Sequence, residues 1–251
     1  MRRMPLVAAV SVVSGLLLLV PTASAQSPAD ACLSLATFEL VPATITGTEG
    51  NDVIRGTSGP DVIVGLGGND VIWGLGGDDT ICGGLGNDRI DGGAGSDSIL
   101  GDTGESFLLG NPQGMFVPGG DDVLIGGDGD DGIAGEAGSD NIRGGAGNDF
   151  ATGNVGKDNV DGDAGDDELF GGPANDVVKG GDGSDTLIGN FGSDVLLGGK
   201  GDDLFLGDNP MGPPDPSHDV CNGQQGSDFA VEGTCEQANQ IETFGPFPGG
   251  P

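Results

Sequence analysis

An aspartate recurs every nine residues through most of this chain, first as Asp52, Asp61, Asp70, Asp79, Asp88 and Asp97. After a break it resumes as Asp122, Asp131, Asp140, Asp149, Asp158, Asp167, Asp176, Asp185, Asp194 and Asp203. Two residues before each Asp stands a glycine, with Ala174 the one exception, and five before it another, with Val117 the one exception. Two residues after it comes an apolar side chain, running from Ile54 to Phe205. A nine-residue period is too short for a helical hairpin and matches half a coil of a parallel β-solenoid. The unit divides into a six-residue, glycine-rich turn ending in Asp and a three-residue strand x-U-x, in which U alone points inward because strand side chains alternate faces. Two units make an 18-residue coil, so the period sets an aspartate at the same place on every coil.

One inward apolar residue per unit contributes roughly 1.5–3 kcal/mol. Ordering the backbone of the same unit costs roughly 1–2 kcal/mol for each of its residues. Burial alone therefore does not fold this chain, and its charge indicates what does. The 251 residues carry 40 acidic and 8 basic side chains, a net charge of −32; without Arg2 and Arg3, which fall in a segment read below as removable, the balance is 6 against 40, or −34. Stacked coils of this charge repel one another unless counter-ions lie between them. Ca²⁺ takes 6–8 oxygen ligands in flexible geometry, which carboxylates and glycine-rich main-chain carbonyls supply, whereas Mg²⁺ demands a rigid octahedron and keeps its water. Carbonyls such as those of Gly65, Gly83, Gly126, Gly144, Gly180 and Gly198 are the candidates. Softer metals would want cysteine or histidine, and the chain has four Cys and one His.

The nonapeptide stands as GGLGNDRID from Gly83, GGAGNDFAT from Gly144 and GGKGDDLFL from Gly198, with the second glycine replaced elsewhere, as in GLGGNDVIW from Gly65. This pattern resembles G-G-x-G-x-D-x-U-x, the calcium-binding repeat of the RTX (hemolysin-type) proteins. The resemblance covers roughly residues 46–208. It implies an all-β fold, a right-handed parallel β-roll of 18-residue coils with two nonapeptides each and Ca²⁺ in the turns on both sides. The ligands it implies are the sixteen periodic aspartates, each ion being shared by turns one full coil apart, such as Asp70 with Asp88 or Asp140 with Asp158.

Residues 1–25 read as a secretory signal peptide: Arg2 and Arg3, an apolar stretch from Val7 to Val20, and the small residues Ala23-Ser24-Ala25 before Gln26. The paired arginines also admit twin-arginine export. The expected location is extracellular, with no membrane span once the signal is removed. Residues 26–46 are expected to form an N-terminal cap, 47–108 a first repeat block, 109–119 an inserted long turn and 120–208 a second block. A long turn, degenerate repeats and C-terminal cap follow at 209–235, then a Pro/Gly-rich tail at 236–251. A degenerate unit ends at Ser106-Phe107-Leu108. Ser106 stands as far from Asp122 as Asp203 does from Asp219, so the two interruptions look matched.

Four cysteines suit an oxidising exterior and allow three connectivities. Cys221–Cys235 is the most economical, and it leaves Cys32–Cys82 to pin the N-terminal segment to an outward strand position beside Val62 and Val64. No catalytic grouping is visible: there is no His-Glu-x-x-His and no Gly-x-Ser-x-Gly, and the one histidine, His218, lies in a Pro-rich insert. Aspartate pairs such as Asp78-Asp79 and Asp166-Asp167 recur with the repeat, which explains them better than a glycosidase acid/base pair does. The negative charge disfavours nucleic acid. Ice binding would need a regular outward row, and the position three before Asp reads Glu49, Ser58, Gly67, Gly76, Leu85 and Ala94. Phe150, Phe170, Ile188, Leu204 and Leu206 gather outward late in the repeats, a candidate partner or self-association surface. The sequence thus reads as a non-enzymatic, secreted, calcium-dependent repeat protein with a structural or adhesive role. An extracellular enzyme with a site in the inserts is the competing class.

Overall fold

In the computed structural model the glycines of each turn serve three separate ends. The one five before Asp leaves room where two coils nearly touch: a Cβ on Gly74 would overlap both the carboxylate of Asp79 and the carbonyl of Gly92 on the next coil. In the uninterrupted turns from Asp70 onward, the residue four before Asp adopts positive φ whatever its type, as at Gly84, Leu66 and Asn154. So does the residue two before Asp, with φ between +98° at Gly77 and +156° at Gly183. There a side chain would also strike the carbonyl stacked beneath it, as one on Gly86 would strike Gly68.

The structure describes residues 42–102, 119–208 and 219–230, together with short strands and single residues outside those ranges. Successive strands alternate between two parallel sheets, one of 10 strands ending at Val53–Arg55 and one of 11 ending at Ile45–Thr46. Each strand pairs with the strand one coil away, as Ile72 with Ile90 and Ile63 with Ile81. The strands are longer than the three residues expected. Thr80–Leu85 and its counterparts run six, because pairing resumes beyond the glycine five before Asp and carries the ladder through half the turn. Between the sheets runs a single file of inward side chains from Ile54 to Phe205, all but Ile54 (7 % exposed) at 0 % exposure.

The interruptions are not the matched pair expected. Asp88 donates its N–H to Asp122 and Asp97 to Asp131, a step of 34 residues where 18 is the rule. The excess of one step over the other corresponds to inserted chain, and the column passes from Asp88 directly to Asp122. A half-coil there would have put Leu124 in the same sheet as Ile99, and its strand instead pairs with that of Ile90 in the other. Gly101 and Asp102 begin a turn that Gly119, Gly120, Asp121 and Asp122 complete, and Gly101 does for Asp122 what the sequence asks of Val117. The second interruption is shorter, since Asp194 donates to Asp219 and Asp203 to Asp228 across a step of 25. The segment expected as a Pro/Gly tail also contributes, Gln237–Asn239 and Thr243–Gly245 adding a last strand to each sheet with Ile241 packed against the core.

The outward face of the 11-stranded sheet is covered at its N-terminal end. Val64, Cys82 and Leu100 are 5 %, 3 % and 0 % exposed and cluster with Ala43, Val62 and Leu66. The strand Ala31–Ser34, paired antiparallel with Glu39–Pro42, lies against their strands. Cys82 is disulfide-bonded; Cys32, its expected partner, has its side chain outside the described residues. Cys221, at an inward position, is bonded to Cys235 with Cα atoms 6.0 Å apart. The signal segment 1–25 and residues 103–118 and 209–218 likewise lie outside the described residues, apart from strand pieces at Val12–Val13 and Leu16–Leu17.

Ala174 holds φ +112° where its counterparts in the neighbouring turns, such as Gly156, Gly165, Gly183 and Gly192, are glycines at positive φ. That conformation costs a residue with a Cβ about 1–3 kcal/mol, part of which the unfolded-state entropy of glycine offsets. Ala174→Gly is thus expected to stabilise the folded chain by about 1 kcal/mol, measured as the shift in denaturation midpoint in calcium; an unchanged or lowered midpoint counts against the strain.

Candidate metal centre

Each periodic carboxylate divides its two oxygens between tasks. Oδ1 accepts the backbone N–H of the Asp one coil earlier: Asp61 donates to Asp79 at 2.8 Å, Asp70 to Asp88 at 2.8 Å and Asp149 to Asp167 at 2.8 Å. The main-chain carbonyl of that earlier Asp accepts from the residue after the later one, as Asp61 from Thr80 at 2.9 Å. Two columns result, one along each edge of the roll. One runs from Asp52 through Asp70, Asp88, Asp122, Asp140, Asp158 and Asp176 to Asp194 and Asp219; the other runs from Asp61 through Asp79, Asp97, Asp131, Asp149, Asp167 and Asp185 to Asp203 and Asp228.

The second oxygen has a different fate. Oδ2 of Asp70, Asp79, Asp88, Asp97, Asp122, Asp131, Asp140, Asp149, Asp158, Asp167, Asp176, Asp185 and Asp203 is buried and accepts no hydrogen bond. Leaving a buried carboxylate oxygen unanswered is costly, and a periodic set of them is a periodic demand for a cation. Most face a main-chain carbonyl from the next coil across the glycine five before Asp: Asp70 with Gly83, Asp97 with Gly126, Asp131 with Gly144, Asp167 with Gly180 and Asp185 with Gly198. Asp52 stands in the same relation to Gly65. The first coil differs, however. Oδ2 of Asp52 accepts from Thr48 N at 2.6 Å and Thr48 Oγ1 at 2.8 Å, and that of Asp61 from Thr57 N at 2.6 Å, so their own turns satisfy these two carboxylates.

Among the described residues no group of three acidic, cysteine or histidine side chains gathers closely enough to hold an ion by side chains alone. Any ion in the turns would thus draw most of its ligands from main-chain carbonyls. A hard, oxygen-seeking cation with loose geometric demands fits that donor set. The turn containing Ala174 keeps its geometry, since Asp176 still faces Gly171 and the carbonyl of Gly189.

Two features were missed from the sequence. Asn or Asp immediately before the periodic Asp accepts the N–H of its counterpart one coil later, as Asp130 from Asn148 at 2.8 Å and Asp166 from Ser184 at 2.9 Å. This second ladder runs opposite to the first and explains the paired aspartates; the recurrence of Asn and Asp there was the available signal. Asp102 is the other. It is 2 % exposed, accepts from Gly120 N at 3.3 Å and Ala137 N at 3.2 Å, and lies in no periodic column.

The RTX calcium-binding nonapeptide repeat model matches residues 46–81, 75–108, 119–142, 135–169, 152–187 and 170–205. These spans cover more than half of the chain and resume at Gly119, where the interrupted turn resumes. The chain belongs to the RTX calcium-binding nonapeptide-repeat family. Its fold is the all-β parallel roll of that family, for which Ca²⁺ in the turns is implied, and the buried, oxygen-lined turns of this RTX protein fit the ion. No curated protein matches the chain.

Burial raises many of the column carboxyls of this RTX roll, such as Asp79 and Asp88, well above the ordinary 3.8, with neighbouring aspartates adding to the effect and the accepted N–H opposing it. Asp79, Asp149 and Asp167 are pushed up to about 6, Asp88, Asp131 and Asp185 to about 7, and Asp122 to about 9. A folded-state pKa above the unfolded value means that the ion-free roll binds more protons than the unfolded chain. Its stability is accordingly greatest below pH 3.8 and is lost as pH rises through 6 and 7. Protons and Ca²⁺ compete for the same oxygens, so calcium affinity should move the opposite way and weaken as pH falls. In chelator, the circular-dichroism β signal is expected to be weakest above about pH 8 and to recover on acidification towards about pH 4. A signal independent of pH would rule the linkage out.

Proposed function

We propose that this is a secreted, non-enzymatic protein whose folding is coupled to calcium and whose role at the cell exterior is structural or adhesive. The observation that carries the reading is the periodic set of buried, unpartnered Oδ2 atoms, most of them opposite a carbonyl of the next coil. In this reading an ion lies between successive coils, bound by aspartates such as Asp140 and Asp158 and by carbonyls such as those of Gly83, Gly126, Gly144, Gly180 and Gly198. Asp52 and Asp61, satisfied by Thr48 and Thr57, contribute least. Where calcium is scarce the chain stays unfolded and fit for export through its N-terminal signal; outside, binding to the native state alone drives folding.

The adhesive half of the reading rests on the outward face of the 11-stranded sheet. Beyond the covered region it presents Phe150 (43 % exposed), Phe170 and Ile188, with the rings of Phe150 and Phe170 5.4 Å apart. The strand-borne cations, by contrast, sit on the other sheet: Arg55, Arg89, Arg143, Lys179 and Lys200. A partner able to bury apolar side chains and tolerate an acidic surround suits the first face. No helix among the described residues is long and apolar enough to cross a membrane.

Circular dichroism with and without chelator tests the coupling at neutral pH: the β signal is expected to collapse on chelation and return with calcium. An unchanged signal sinks the coupled-folding reading. For the ligands, Asp149→Ala removes an Oδ2 and also the Oδ1 that accepts from Asp131. Calorimetric titration should then show fewer or weaker calcium sites, and unchanged stoichiometry and affinity would count against the assignment.

A further inference from the structure

The turn split by the first interruption differs from the others in charge. Its halves, Gly101–Asp102 and Gly119–Asp122, stack on the turn Gly135–Asp140 of the next coil, with Asp122 N–H donating to Asp140 Oδ1 at 2.9 Å. At the turn position four before the periodic Asp, where most turns have glycine, asparagine or leucine, these two have Glu136 and, next to Gly101 across the insertion, Asp102. Both are buried, at 2 % and 3 % exposure. Asp163 occupies the same position in another turn, but its side chain is 43 % exposed and pairs with Arg143 at 3.1 Å. The carboxylate of Asp102 instead folds inward over the turn, where a Cβ on Gly119 would overlap it, and is tied to both coils through Gly120 and Ala137.

An independent observation gives this charge a target. Oδ2 of Asp122, 1 % exposed and unpartnered, points between Gly101 and the carbonyl of Gly135, the residues that immediately precede Asp102 and Glu136. We propose that this split turn is the first calcium site of the roll to fill, and that Asp102 and Glu136 make it so. The proposal rests on the calcium reading above and deepens it. Asp102 acts by charge at short range, since its two oxygens each accept an N–H group, and the buried Glu136 adds a second charge beside it. Calcium affinity in oxygen sites rises with the charge around the ion. The location has its own logic: the turn is interrupted here by inserted residues, and closing it across them costs entropy that an ion bound to both halves offsets. The second interruption also follows a Gly-Asp pair, Gly207-Asp208.

Hydrogen–deuterium exchange on the full wild-type chain across a calcium titration tests this without any variant. Amides of 119–140 are expected to gain protection at lower free calcium than those of 167–203. Protection that begins elsewhere, or arises in all coils together, overturns the proposal while leaving the calcium reading intact; no calcium-dependent protection anywhere overturns both. As a second arm, calcium titration of Asp102→Asn/Glu136→Gln should weaken the tightest binding step by about tenfold, whereas Asp163→Asn leaves it unmoved. An unmoved tightest step in the double variant, or an equal loss in Asp163→Asn, also overturns the proposal.

Discussion

Everything in this roll hangs on a carboxylate that faces two ways. One oxygen of each periodic aspartate accepts a backbone N–H from the preceding coil, which fixes the coil-to-coil register at the turn much as pairing fixes it in the sheets. The other oxygen, from Asp70 through Asp185 and again at Asp203, is left buried without a donor, so the register bond by itself creates an unmet electrostatic demand at turn after turn. A hydrophobic core could not answer it, since only one side chain per unit enters the interior, and that file is one residue wide from Ile54 to Phe205. The same aspartate thus specifies how coils stack and leaves an oxygen placed to receive a cation between them.

The glycine pattern follows from this arrangement. The glycine five before Asp is there because a carboxylate and a carbonyl from different coils approach the same point, and any side chain would separate them. The residues four and two before Asp are there for chirality. The first of these positions tolerates Leu66, Asn154 or Glu136 in the left-handed region, while the second accepts only glycine there apart from Ala174. At both positions the glycines sit close on a carbonyl of the neighbouring coil, as Gly84 does on Leu66 and Gly86 on Gly68.

Much of this was legible in the sequence, because period, inward residue and acidic column are all linear features. The alternation of two sheets and the inward file followed from the spacing, and the family from the glycine and aspartate motif. The Cys221–Cys235 bond was legible too, as the pair with the shortest span. What the sequence obscured was whatever depends on counting through space instead of along the chain. Ser106 falls one period after Asp97 and so looks like the next unit, yet the column continues from Asp88 to Asp122. Gly101 and Asp102 looked like the end of one block when they are the opening of a turn. The final strands at Gln237 and Thr243 carry no repeat signature, because main-chain pairing at the end of a stack asks nothing of the side chains.

The turn that closes across the first interruption carries a wider consequence. Its two halves meet with the same hydrogen bonds and the same overlap of glycine, carboxylate and carbonyl as an unbroken turn, although a whole inserted segment passes between them. Coil geometry is therefore indifferent to how much polypeptide passes between the fourth and third residues before an aspartate. That junction is a natural port in the scaffold: sequence can be gained, lost or exchanged there over evolutionary time, or by grafting in the laboratory, while the coils on either side keep their phase.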